Sequence, residues 1–206
     1  LEAIAQKHGL KIIEDAAQSF GAEQSGRKAG SAGIVATTSF FPAKPLGGHG
    51  DGGAVFTADP ELAETIRAVT NHGCKERESH YVPGTNGRCD SLQAAIIHAK
   101  FPNFRDEEIT LRQQVGARYS EALKDYTTVP TIHPGNTHIY AQYTIRPKNR
   151  DSLYAPLKAK DIPSAVYYLK PLHQQAVFAD LPCVKKDFPN TDMTSQEVIS
   201  LPFHPY

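Results

Sequence analysis

The sequence predicts an α/β fold, and three features carry the prediction. The apolar segment Lys11-Ile12-Ile13-Glu14-Asp15 ends on a carboxylate. A stretch rich in threonine and phenylalanine runs from Val35 to Phe41. Helical spacing with recognisable caps follows these strands. Short strands interspersed with helices are the pattern of a sheet covered by helices.

Taken in order, Leu1 to Gly9 reads as the last turns of an amphipathic helix closed by a glycine. Residues 10–14 form a buried strand, and 15–22 a helix or loop. Gly26-Arg27-Lys28-Ala29-Gly30 is a turn. Strands follow at 35–41 and 52–57. Asp59-Pro60-Glu61 is a helix start, with an N-cap aspartate and a proline at the first helical position. That helix carries Leu62, Ile66 and Val69 on one face and stops near Gly73. Another begins at Asp90. A long helix over about 105–125 is read from Leu111, Val115, Tyr119 and Leu123. Beyond it come a strand at 142–146, a helix capped by Asp151, a strand at 164–169 and a last helix near 192–199.

Composition excludes several classes. Twenty-two basic and twenty-two acidic residues leave no net charge, and no basic run points to nucleic acid or an anionic membrane. No segment approaches the roughly 20 apolar residues needed to span a bilayer. Cys74, Cys89 and Cys183 are widely spaced and odd in number, so neither a disulfide framework nor a zinc site is indicated. A reducing, cytoplasmic setting is expected. The histidines show no metal-ligand spacing, and no metal is expected.

Lys44 stands between two prolines, ahead of a run of glycines and after the 35–41 strand. Such a place suits a lysine that loses its proton, because desolvation disfavours the ammonium. A nucleophilic lysine attacks carbonyls, and pyridoxal phosphate is the common carbonyl cofactor. That cofactor needs a carboxylate to keep its pyridine nitrogen protonated. Asp15, at the carboxyl end of a strand where α/β sheets place their ligands, fits that need. Gln18 could reach the cofactor ring from the same turn. Asp15 equally suits a helix N-cap before Ala16-Ala17-Gln18. Glycines 47, 48, 50, 52 and 53 lack the strand-before, helix-after context of a phosphate loop, and are read as tight packing around the cofactor.

Four segments carry a resemblance. They are Glu14 to Ala22, Ser39 to Ala54, Gly84-Thr85-Asn86-Gly87-Arg88 with Gln93-Ala94-Ala95, and Ser200 to Pro205. Together they resemble the signature stretches of the DegT/DnrJ/EryC1/StrS family of sugar aminotransferases, in the same order and over the whole chain. The resemblance implies a pyridoxal-phosphate-dependent, aspartate-aminotransferase-like (type I) fold. It implies that residues 1–126 are the back half of the large cofactor domain with its linking helix, and 127–206 the small domain. Family members are longer at the front, so the chain is expected to be an N-terminally truncated member.

The resemblance also implies roles. Lys44 matches the lysine that binds the cofactor covalently and shuttles the proton. Asp15 matches the pyridinium partner, and Gln18 a residue near the ring hydroxyl. Ser39 matches a hydroxyl donor to the phosphate. Asn86 matches a residue reaching the phosphate in the neighbouring subunit of a homodimer. Arg88 would face that phosphate or the substrate, and His173 the nucleotide-sugar. Cys89 and His49 depart from the commonest pattern. Glutamate is the expected amino donor. Within the family, His138 to Ile145, Gly87-Arg88 and the closing Ser200 to Tyr206 are most similar to transaminases of UDP-linked 3-oxo-glucuronic acid sugars, enzymes of cell-surface polysaccharide synthesis. Three alternatives stay open: a dehydratase relative (disfavoured by Lys44), a regulatory relative that binds without turnover, and a non-catalytic interaction module.

Overall fold

The computed structural model describes residues 1–206, which fall into two compact units. The first comprises Leu1–Thr110 with His133–Ala141, and the second Leu111–Ile132 with Gln142–Tyr206.

In the first unit, α1 (Glu2–Lys7) leads to β1 (Ile13–Asp15), which lies parallel to β4 (Val35–Ser39). β5 (Gly53–Phe56) pairs antiparallel on the other side of β4, so the sheet order is β1-β4-β5. Between β1 and β4 a hairpin joins β2 (Glu23–Gln24) to β3 (Arg27–Lys28). Its turn residues Ser25 and Gly26 both have positive φ, the conformation that matches strand twist in two-residue hairpins. The segment 133–141 returns along this hairpin: Ser25 N–H donates to Gly135 O and Thr137 N–H to Glu23 O, both at 2.9 Å. It thereby delivers Ile139 to a core of Leu46, Ile97 and Phe104, against which Phe20, Phe40 and Ile109 pack.

Helix α2 (Pro60–Thr70) starts as its sequence dictates. Asp59 Oδ1 accepts the N–H groups of Glu61 and Leu62 at 2.9 and 3.1 Å. A short hairpin, β6 (Cys74–Glu76) and β7 (Ser79–His80), follows.

The helix expected to begin at Asp90 and the one expected over about 105–125 are both present, but they are continuous. α3 (Ser91–Asn103) runs through a π-helical turn at Phe104–Glu108 into α4 (Ile109–Leu123), without an intervening loop. Pro102 lies inside α3 and has no N–H for the helical ladder, and the wider π turn begins two residues later.

The second unit centres on β8 (Tyr143–Ile145) paired antiparallel with β9 (Ile199–Leu201). Tyr143 is fully buried and stacks against Tyr119 and Phe203. Its hydroxyl meets Ser120 Oγ at 2.8 Å, and burial pushes the phenol above its ordinary value. Three expectations are corrected here. The cap of α5 (Arg150–Ala159) is Asn149, whose Oδ1 accepts Ser152 N–H at 3.0 Å; Asp151 lies in the first turn beside the helix dipole instead. The strand expected at 164–169 reduces to one bridge, Ala165 with Ser200, because the chain then turns away towards Pro171 with Tyr167, Tyr168 and Leu169 exposed. The last helix, α6, is Pro189–Glu197 and stops before β-branched Val198 and Ile199, which continue as extended chain and β9. No helix is long and apolar enough to cross a membrane.

Candidate functional site

The sheet register places the acidic and hydroxyl groups. Asp15 pairs with Thr37 in the parallel ladder, and Ser39 lies two residues further along β4. Side chains alternate across a strand, so Asp15, Thr37 and Ser39 share one face at the carboxyl ends of neighbouring strands. The other face is the packed one: Ala36 is 1% and Thr38 6% exposed.

Asp15 Oδ1 accepts Ala17 N–H at 3.0 Å, which closes a turn instead of starting a helix. Gln18 is exposed on that turn. Next to Asp15, Glu14 projects to the opposite face. Its two oxygens accept Gly30 N–H at 2.8 Å and Ala32 N–H at 2.7 Å, pinning the loop between β3 and β4. Glu14 was not singled out in the sequence; its place beside Asp15 is the only signal that could have found it.

Beyond Ser39 the chain turns sharply. Ser39 Oγ accepts Phe41 N–H at 3.2 Å, and Lys44 N–H donates to Phe41 O at 2.8 Å. Lys44 is half-buried, and Pro45, Leu46, Gly47 and Gly48 behind it are buried. Gly47 is required sterically, since a Cβ there would lie 2.4 Å from Pro42 O. The glycine run is thus close backbone packing at this point.

Asn86 and Arg88 are exposed on the loop before α3. That loop is tied to the end of α2: Asn86 bridges Asn71, Gly87 N–H donates to Thr70 O at 2.9 Å, and Arg88 Nη1 donates to Asn71 Oδ1 at 2.7 Å. Asn71 is therefore a second residue the sequence reading missed. In the second unit His173 Nε2 lies 3.0 Å from Asp192 Oδ1, which also accepts Gln174 Nε2–H at 2.7 Å, and its ring packs on Phe188. A cavity of about 570 Å³ next to it is lined by Tyr167, Tyr168, Lys170, Leu172 and Thr194 among others.

Within the first unit, then, a primary amine, a carboxylate and a hydroxyl issue from the ends of two adjacent parallel strands and the turns that follow them. No hydrogen bond joins Lys44 to Asp15 or Gln18. This donor set has the chemistry that pyridoxal phosphate requires: an amine for its carbonyl, an acid for its ring nitrogen, a hydroxyl for its phosphate.

A family model for the DegT/DnrJ/EryC1/StrS aminotransferases matches residues 1–206. The chain belongs to this family. A family relative from Pseudomonas aeruginosa, UDP-2-acetamido-2-deoxy-3-oxo-D-glucuronate aminotransferase, is 49% identical over 207 residues, covering all of this chain and 56% of its own length. The crystal structure of a family aminotransferase from Brucella abortus is 44% identical with a TM-score of 0.93, over all of this chain and 55% of that one. A second similar structure, ntda from Bacillus subtilis with bound cofactor pmp, is 25% identical with a TM-score of 0.81, over 98% of this chain and 48% of that one. The α/β, aminotransferase-type fold expected from the sequence is borne out. The chain spans about half the length of the curated relatives it matches.

Proposed function

We propose that the complete protein is a pyridoxal-phosphate-dependent aminotransferase that moves an amino group from glutamate to a nucleotide-linked keto-sugar. The sugar is of the UDP-3-keto-hexuronic acid type. The observation that carries this reading is the placement of Asp15 and Ser39 at adjacent parallel strand ends, with Lys44 on the turn after Ser39. The resemblance to the Pseudomonas aeruginosa enzyme supports the sugar class.

When bound, pyridoxal phosphate supplies an electron sink for the bond electrons released at the amino-acid carbon. Lys44 provides the amine that holds the cofactor's carbonyl carbon. The Lys44 amine would also take the proton from the glutamate Cα and carry it onward as general base. The Asp15 carboxylate keeps the ring nitrogen protonated. Ser39 Oγ donates to the phosphate, and Gln18 attends the ring. Arg88 pairs with a substrate carboxylate through its planar fork, the geometry that makes such pairs bidentate. His173 contacts the nucleotide-sugar. Glutamate leaves as its 2-oxo acid and the keto-sugar becomes an amino-sugar, so the two half-reactions balance.

In this reading residues 1–126 belong to the cofactor domain and 127–206 form the small domain. Asn86 reaches the cofactor phosphate of a second copy, so the working unit is a homodimer.

The test is borohydride reduction of the complete protein loaded with the cofactor, followed by peptide mass analysis, alongside Lys44→Ala. The expected result is a cofactor adduct on the Lys44 peptide, absent from Lys44→Ala and prevented by prior glutamate. A fully loaded protein with no adduct on Lys44 would overturn the proposal.

A further inference from the structure

Helix α3 lays three side chains along the loop that follows Lys44. Gln93, Ile97 and Lys100 are spaced four and three residues apart, one face of a helix. Gln93 Oε1 accepts His49 N–H at 2.8 Å. A backbone N–H only donates, so the carboxamide oxygen must be the atom facing it. Ile97 joins Leu46 in the buried core. Lys100 Nζ donates to Gly47 O at 2.5 Å. Residues 46, 47 and 49 are thus each held from the same helix.

The glycines make room for this grip. A Cβ on Gly48 would lie 2.9 Å from Gln93 Oε1, and one on Gly50 3.2 Å from its Nε2. Opposite, Gly48 N–H donates to Phe40 O at 2.7 Å, and a Cβ on Gly47 would collide with Pro42 O. The loop is clamped between α3 and the end of β4, with Lys44 at its entrance. Lys44 itself is tied only through its N–H to Phe41 O. Its Cα therefore lies between that bond and the clamp.

We infer that Gln93, supported by Lys100, is a positioning residue for Lys44. Its carboxamide fixes the backbone from which the Lys44 amine must reach a reacting carbon. The inference rests on the proposed role of Lys44, and its physical basis is that proton transfer falls steeply with misplacement, about 10²-fold for 1 Å. Gln93→Leu removes the acceptor while keeping the volume, and Gln93→Glu keeps an acceptor oxygen at the same reach.

The first measurement is amide hydrogen exchange of the complete protein without cofactor. This readout is independent of any activity. Gln93→Leu should speed exchange at His49 and, beyond it, at Lys44 by about tenfold or more, as expected when a local opening becomes easier. Gln93→Glu should restore the Lys44 amide to near its parent rate. Faster exchange confined to His49 would overturn the inference, because the bond would then be local and not transmitted.

The second measurement is the glutamate half-reaction with ordinary and Cα-deuterated donor. Gln93→Leu should slow it ten- to a hundredfold with a larger isotope effect and little change in the donor concentration at half-saturation. An unchanged rate, or a slower one with an unchanged isotope effect, would count against a positioning role. Should Gln93→Leu fail to fold, Lys100→Met carries both measurements, with the same signs expected and the same results overturning it. Borohydride trapping on unsubstituted protein separates the two ideas. Without a Lys44 adduct the proposed function fails, whatever the exchange data say about the clamp.

Discussion

Asp15 and Thr37 are partners in the parallel β1–β4 ladder, and this one register decides where the acidic end of β1 points. Shifting it by a single residue would carry the carboxylate to the packed face occupied by Ala36 and Thr38. Glu14 already serves that opposite side, holding Gly30 and Ala32. Two consecutive acids thus have separate tasks because the strand alternates.

Asp15→Asn should isolate charge from shape. The asparagine retains an Oδ1 acceptor for Ala17 N–H, so the turn survives. Turnover of the complete protein should fall by about 10²-fold or more, the scale of losing one preorganised electrostatic partner, while the melting temperature moves by only a few degrees. A loss below tenfold would argue that Asp15 is a turn-forming residue and no more.

Asn86→Ala should weaken cofactor retention several-fold on dialysis, followed by the cofactor absorbance band. Asn71→Ala should produce a milder version of the same loss, because it frees the Arg88 guanidinium while leaving the backbone bridge to Asn86 in place. Retention unchanged in both variants would remove this loop from the site.

Two glycine substitutions should differ sharply. Gly47→Ala forces a Cβ against the Pro42 carbonyl and should cost about 1–3 kcal/mol or more in urea unfolding. Gly52→Ala meets nothing closer than Phe40 Cβ at 3.6 Å and should change stability by less than about 0.5 kcal/mol. Equal effects would mean that the turn after Lys44 is not packed as described.

His138 supplies a pH dependence with a definite sign. Tyr140 N–H donates to its Nδ1 at 2.9 Å, which requires a neutral ring, and partial burial lowers its pKa below the ordinary value. The unfolded chain therefore binds the proton more readily. The stability this contributes is complete above the unfolded value of about 6.5 and declines as pH falls below it. Urea unfolding at pH 7.5, 6 and 5 should show a decline that His138→Gln reduces. Identical slopes in the two proteins would refute the assignment.

Much of this arrangement was legible in the chain. Asp59-Pro60-Glu61 named its own helix start, and the apolar run ending on Asp15 named a strand, since local chemistry alone fixes such features. Part of what stayed hidden was a local choice between neighbours: Asn149 displaced Asp151 as a cap by reach to Ser152. The rest depended on partners far away in sequence, and β9 exists only because β8 offers it an edge. The continuity of α3 into α4 through a π turn is written nowhere in hydrophobic spacing. Gln93 belongs to a signature segment, but the sequence does not say what it holds, and Lys100 reads as an ordinary helix-surface residue until the loop beside them is seen.

Ile139 gives the order of synthesis a structural meaning. It is 1% exposed in a core whose other members, Leu46, Ile97 and Phe104, are made long before it. A nascent chain that has reached residue 126 holds Lys44 and its loop but lacks one side chain of the core that includes Leu46. The first unit therefore matures only after the ribosome has passed through part of the second. A gene cut at the end of the long helix would yield a polypeptide with every proposed cofactor ligand and an unfinished interior.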